Sequence, residues 1–151
     1  MEQDQIKLEA FTLENKKFVQ TCFYNPVISF LAFPAISEAD FDSYFENYMN
    51  EENCLIISVN GICVGCIILE FNHIFRIRSI FILPEYRGNK YSRKALEQLK
   101  ERIPNTEFSV FIHDQQREHI HLFERCHFKK TDIVQEFEFE NKAKKFIKFV
   151  N

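Results

Sequence analysis

Along the 151 residues, apolar positions recur either every second residue or every third to fourth, and the switches between the two periods mark the elements. From Ile6 to Phe11 apolar and polar residues nearly alternate, which predicts an opening strand. Thr12 follows as a helix N-cap, and Phe18, Val19, Cys22 and Phe23 form the apolar stripe of that helix, closed by Asn25 and Pro26. Tyr24 to Ile36, rich in rings and bracketed by Pro26 and Pro34, reads as a partly ordered connection, because so much apolar surface is not left in water. Ser37, with Asp40 three residues on, opens a second helix in the manner of a capping box. Its stripe of Phe41, Tyr44, Phe45, Tyr48 and Met49 is either core packing or the lining of a substrate cleft. Leu55 to Val59 and Ile62 to Phe71 flank Asn60 and Gly61, the strongest short hairpin signal in the chain. A third strand, Phe75 to Leu83, follows a turn at Asn72, His73 and Ile74.

The stretch from Ile80 to Leu96 carries the first chemical signal. An apolar run meets Pro84, a polar loop with Arg87 and Gly88, and then a helix whose buried face is Tyr91, Ala95, Leu96, Leu99 and Ile103, ended by Pro104. A strand running into a helix N-terminus leaves backbone N–H groups unpaired at the positive end of the helix dipole, a seat for an anion such as phosphate. Beyond it, Phe108 to His113 predicts a strand, and Gln115 to Cys126 a helix with Ile120, Phe123 and Cys126 inward. In the tail Ile133, Phe137 and Phe139 alternate with Glu136, Glu138 and Glu140; Asn141 to Lys144 turns the chain, and Phe146, Ile147, Phe149 and Val150 make the last strand. This order predicts an α/β (α+β) fold, a single domain over residues 1–151 with a mixed, mostly antiparallel sheet of about seven strands and about four helices on both faces. Only the crossover through the third helix joins parallel neighbours.

Composition adjusts this picture little. With 18 phenylalanines and no tryptophan, the interior is built from rings and β-branched residues. The net charge of −3, with both signs interspersed, disfavours nucleic acid as a partner. No run of about 18 apolar residues and no basic start followed by an apolar segment predicts a membrane span or a signal peptide, so the expected location is cytoplasmic and no membrane is expected as partner. Cys22, Cys54, Cys63, Cys66 and Cys126 read as reduced thiols. Cys63 and Cys66 form a C-x-x-C inside a strand pattern, which aims residues three apart at opposite faces and favours packing over zinc or redox chemistry. Among the histidines only His119 and His121 lie close in sequence, and they point different ways on a helix, so no metal is expected. Lys142, Lys144, Lys145 and Lys148 read as a solvated turn and strand face.

The element order, together with LPEYRGNKYSRKAL, resembles the GNAT superfamily of N-acetyltransferases from the first strand to the last. The resemblance implies acetyl-CoA, or another short acyl-CoA, as co-substrate, with backbone groups of Ile80, Phe81 and Ile82 offered to its pantetheine arm. It also implies that the loop of Arg87, Gly88, Asn89, Lys90, Tyr91 and Ser92 wraps the pyrophosphate. Lys90 stands where the family has its first motif glycine, and Ser92 where it has glycine or alanine. Lys90 keeps a usable backbone donor if its dihedrals are ordinary, and its ammonium adds charge attraction to a phosphate. HIHLFERCHF resembles the family's Leu-Tyr-Glu-Lys-Leu-Gly-Phe; in that register Phe123 takes the place of the tyrosine that protonates the departing thiolate, and Gln116 that of an asparagine at the cofactor. His119 and His127 replace residues that are usually small.

Direct acetyl transfer needs a neutral amine, a polarised thioester carbonyl and a destination for the thiolate's proton. A strand N–H near Ile82 supplies polarisation. Candidate bases are Glu70, His73 and His113, and the splaying of the two parallel strands in the family puts His113 nearest the reaction centre. The resemblance thus implies an N-acetyltransferase acting on a primary amine of a small molecule or peptide, in a ternary complex. The alternative is a degenerate relative that binds acyl-CoA, or only a protein partner, without turnover. The acceptor is not legible, and a homodimer remains open.

Overall fold

The computed structural model describes residues 4–23, 43, 50, 52–72, 74–139 and 142–151. The connection expected before Ser37, the apolar face expected on the helix after it (Phe41, Tyr44, Phe45, Tyr48 and Met49), and His73 and Asn141 lie outside the described residues. The described residues form seven strands: β1 (Ile6–Ala10), β2 (Cys54–Val59), β3 (Ile62–Asn72), β4 (Ile74–Ile82), β5 (Phe108–His113), β6 (Lys129–Phe139) and β7 (Lys142–Val150). Among the described residues there are three α-helices, α1 (Lys16–Phe23), α2 (Tyr91–Arg102) and α3 (Arg117–Arg125).

The strands form one sheet in the order β1-β2-β3-β4-β5-β7-β6. Neighbours are antiparallel except β4 and β5, which are joined through α2 and run parallel, as the element order predicts. Asn60 and Gly61 turn the first hairpin with φ of 52° and 83°, the left-handed pair that a tight two-residue turn requires. Two apolar clusters cover the two faces of the sheet. On one, Tyr91, Ala95, Leu96 and Leu99 of α2 and Phe123 of α3 pack on Ile57, Ile67, Ile77, Ile80 and Phe108. On the other, Val19 and Cys22 of α1 pack on Cys54, Ile56, Cys66, Ile68 and Phe81. At the β1 edge, Gln98 Nε2 donates to the Ile6 carbonyl (2.7 Å) and Arg102 Nη1 to the Leu8 carbonyl (3.0 Å), so α2 covers unpaired strand acceptors.

Two β-bulges change what strict alternation predicts. In β3, Ile57 pairs with Gly65 and Ser58 with Cys63, leaving Val64 as the extra residue. This corrects the reading of the C-x-x-C: the bulge shifts the phase, and Cys63 and Cys66 both join the cluster beneath α1, with Cys22 and Cys54. Burial pushes the Cys54 thiol up to about 12, and a hydrogen bond with Cys22 together with burial raises that of Cys66. These thiols are packing groups rather than nucleophiles. In β4, Ile68 pairs with Ser79 and Leu69 with Ile77, leaving Arg78 as the extra residue.

Smaller differences arise at element ends. Asn72 and Ile74 pair as strand ends, so β3 and β4 each take in one residue that the sequence pattern assigns to the turn. The last hairpin is also tighter: Lys142 and Lys144 already belong to β7. Helix α3 begins at Arg117, after Asp114 and Gln115 have turned the chain and Gln116 has capped the helix. Ile133 and Val134, neighbours on edge strand β6, are 48% and 49% exposed.

Candidate active site

The two parallel strands stay paired only from Phe75–Phe108 to Ile77–Val110. The bulge at Arg78 begins where that pairing ends, so β4 turns towards β3 and leaves β5. The Leu83 N–H bonds the Val64 carbonyl of β3 (2.8 Å), so strand alternation turns the backbone groups of Phe81 towards β3 and those of Ile80 and Ile82 into the gap. Of the three strand residues expected at a cofactor, Ile80 and Ile82 therefore present N–H and C=O to the gap, while the Phe81 side chain packs in the cluster beneath α1.

Between the splayed strands lies a cavity of ≈ 40 Å³, lined among others by Ser79, Ile80, His113, Gln116, His119 and Phe123. That is room for a water or two. His113 ends β5 and is 6% exposed. Its Nδ1 accepts the Gln115 N–H (3.1 Å), so the neutral ring carries its proton on Nε2. Burial lowers its pKa below 6.5, the Asp114 carboxylate opposes that shift, and Lys144 adds to it. Gln116 precedes the first turn of α3 and faces His119 Nδ1 through Oε1 at 3.2 Å, while His119 Nε2 lies 3.5 Å from the Ile80 carbonyl oxygen. Burial also lowers the His119 pKa; the Ile80 carbonyl and Glu118 work against the shift and Arg87 with it. Phe123, one turn further on, is 1% exposed and meets Phe128 edge to face. Glu70 lies outside the cavity lining and forms an ion pair with Arg78 at 3.2 Å.

At the other end of the gap, Pro84 starts a single 3-10 turn to Tyr86. Arg87 folds back, its Nε donating to the Ile82 carbonyl (2.9 Å) and its guanidinium lying over the Phe81 ring. Gly88 takes φ of 86°, and Asn89 Nδ2 ties the loop to the Tyr86 carbonyl (3.0 Å). Lys90 has φ 63° and ψ 21°. The condition of ordinary dihedrals is thus not met: lysine occupies the left-handed conformation that glycine adopts freely. The first intrahelical bond runs from the Lys94 N–H to the Lys90 carbonyl (3.1 Å), which leaves the N–H groups of Tyr91, Ser92 and Arg93 pointing out of the helix end. The Tyr91 ring is turned away, its hydroxyl donating to Asp4 (2.8 Å), so only its backbone serves the loop.

The cavity thus brings together Ile80, His113 and Gln116, while Ile82 lies further along β4, where its carbonyl is held by Arg87 of the Arg87–Ser92 loop. Sequence reasoning passed over Ser79 and His119 as lining residues. The phase slip at Arg78 and Ser79, two polar residues in succession within an alternating strand, signals the bulge, and the spacing of four between His119 and Phe123 signals the shared helix face.

In comparisons with known proteins, no curated protein matches the sequence. The spermidine N-acetyltransferase of Vibrio cholerae, solved in complex with CoA and spermine, superposes with a TM-score of 0.79 at 19% identity, over 97% of this chain and 95% of that one. An N-acetyltransferase from Staphylococcus aureus Mu50 gives 0.74 at 12% identity, over 99% and 98%. Arabidopsis thaliana NAA60, in complex with a bisubstrate analogue, gives 0.73 at 12% identity, over 97% of each chain. At these identities the likeness establishes the fold. The model of the acetyltransferase (GNAT) family matches residues 20–128, well over half of the chain. The chain belongs to the acetyltransferase (GNAT) family.

Proposed function

We propose that this protein transfers an acetyl or other short acyl group from CoA to a primary amine of a small molecule or peptide, by direct attack in a ternary complex. The observation that carries the reading is the splay of β4 from β5 beyond Ile77, which leaves the outward backbone groups of Ile80 and Ile82 without a neighbouring strand, beside the cavity that His113 lines. The pantetheine arm lies along Ile80 to Ile82. The pyrophosphate sits on the N–H groups at the start of α2, within the Arg87–Ser92 loop. The Ile82 N–H polarises the thioester carbonyl, and Gln116 offers an amide to the cofactor.

The amine arrives as an ammonium ion and must lose a proton before it attacks. His113 lines the cavity and is held neutral near pH 7 by burial, whereas Glu70 is engaged by Arg78. His113 is therefore the base. It acts from the tautomer that gives up the Gln115 N–H, a loss of about 1 kcal/mol. Polyamines head the list of acceptors, because the Vibrio cholerae relative is solved with spermine. A second reading, acyl-CoA binding without turnover, is favoured by Phe123, which has no hydroxyl to protonate a thiolate.

A calorimetric titration with acetyl-CoA, followed by thiol release against spermidine, simple primary amines and short peptides, tests both readings. Binding with thiol release is the expected outcome. Binding without release across the panel selects the second reading, and absence of binding at high micromolar acetyl-CoA removes both.

A further inference from the structure

His119 is a nitrogen base inside the cavity that the family pattern leaves without a role. It shares a helix face with Phe123, four residues on, and both line the cavity beside Ile80. Its ring nitrogens face acceptor oxygens: Gln116 Oε1 at 3.2 Å from Nδ1 and the Ile80 carbonyl at 3.5 Å from Nε2. In the tautomer with the proton on Nδ1 and Gln116 Oε1 as its acceptor, the neutral ring turns a lone pair at Nε2 towards the Ile80 carbonyl of β4. A proton arriving at Nε2 finds a hydrogen-bond acceptor already in place.

Resting on the acyltransferase reading, we infer that His119 Nε2 carries the proton from the attacking amine to the departing thiolate, replacing the hydroxyl absent at Phe123. The amine nitrogen attacks the thioester carbonyl carbon and the C–N bond forms. Nε2 takes the proton that this nitrogen must lose, the C–S bond breaks with its electron pair on sulfur, and Nε2 returns the proton to that thiolate. Amide and thiol leave, and His119 is neutral again, so no further reactant is needed. His113 removes the earlier ammonium proton and releases it to solvent, so the two histidines handle different protons. A carrier must begin neutral, and burial keeps His119 so near pH 7. The charged and titratable groups around it are Arg87 from the loop after β4, Glu118 on its own helix, and Arg78 and His113 across the cavity.

The test is thiol release from acetyl-CoA with the most active amine of the panel, by the unaltered protein, His119→Gln and His119→Gln/Phe123→Tyr, as a function of pH. His119→Gln is expected to lose about 100-fold in kcat with KM for acetyl-CoA little changed. The acidic limb of its kcat/KM profile falls from two protons to the one belonging to His113. The double variant is expected to recover at least about tenfold, since the tyrosine supplies the missing acid. Retained acetyl-CoA binding by calorimetry shows that each variant is folded, and His119→Asn stands in if His119→Gln is not. Unchanged kcat and an unchanged acidic limb in a folded His119 variant overturn the inference while leaving the acyltransferase reading intact. Absence of thiol release by the unaltered protein overturns both.

Discussion

Of the four residues that stand where the resemblance calls for glycine or a small residue, Lys90 and His127 have positive φ, 63° and 70°. His127 ends α3 in the left-handed conformation while the Phe128 N–H reaches back to the Phe123 carbonyl (2.9 Å), the arrangement in which glycine usually closes a helix. A side chain there costs roughly 1–2 kcal/mol, partly offset because glycine is more flexible in the unfolded chain. Lys90→Gly is therefore expected to stabilise the protein by about 1 kcal/mol, read as a higher urea midpoint. A lower midpoint would mean that the lysine side chain makes compensating contacts. The requirement for a left-handed residue was legible from the family pattern, but the conformation adopted by a lysine was not, because dihedral strain depends on the loop closing onto a fixed helix and strand.

At the scale of elements, β3 and β4 are held in phase by Gly65. A Cβ added there would land on the Phe81 carbonyl oxygen and lie 2.9 Å from the Ile82 side chain. The clash is with backbone, which a side-chain rotation cannot relieve. Gly65→Ala should cost about 1–3 kcal/mol, seen as a lower thermal midpoint, and should weaken acetyl-CoA binding because the shift falls on the strand that faces the gap. Unchanged stability and binding would show that β4 tolerates displacement at Phe81. The helices were the most legible elements: Tyr91, Ala95, Leu96 and Leu99 are all buried on α2, as their spacing predicts. The strands were less so, since a single bulge reverses every face beyond it, as Cys63 and Cys66 demonstrate.

For the whole molecule, the two cavity histidines link stability to pH. Both have pKa values lowered below 6.5 in the folded protein, so the unfolded chain takes up these protons first. Their contribution is complete above the ordinary value, is lost as pH falls from about 6.5 to the lowered values, and then levels off. The urea midpoint is expected to fall between neutral pH and about pH 5, and to fall less in a His113→Gln/His119→Gln variant. An equal decline in that variant would assign the dependence to other groups.

The sequence by itself determined the order of the described elements, the Asn60-Gly61 hairpin, the buried faces of α2 and α3, and the family through the Pro84–Leu96 and His119–Phe128 segments. These are local properties: periodicity, capping and turn chemistry act over a few residues. Only the tertiary structure decided that β4 leaves β5 at Ile77, that Arg78 is the bulged residue, and that Ile80 and Ile82 rather than Phe81 face the gap. It also decided that His119 meets the Ile80 carbonyl, a contact between residues thirty-nine apart in the chain. Register across strands and contacts between distant residues depend on how whole elements pack, and no short window of sequence carries that information.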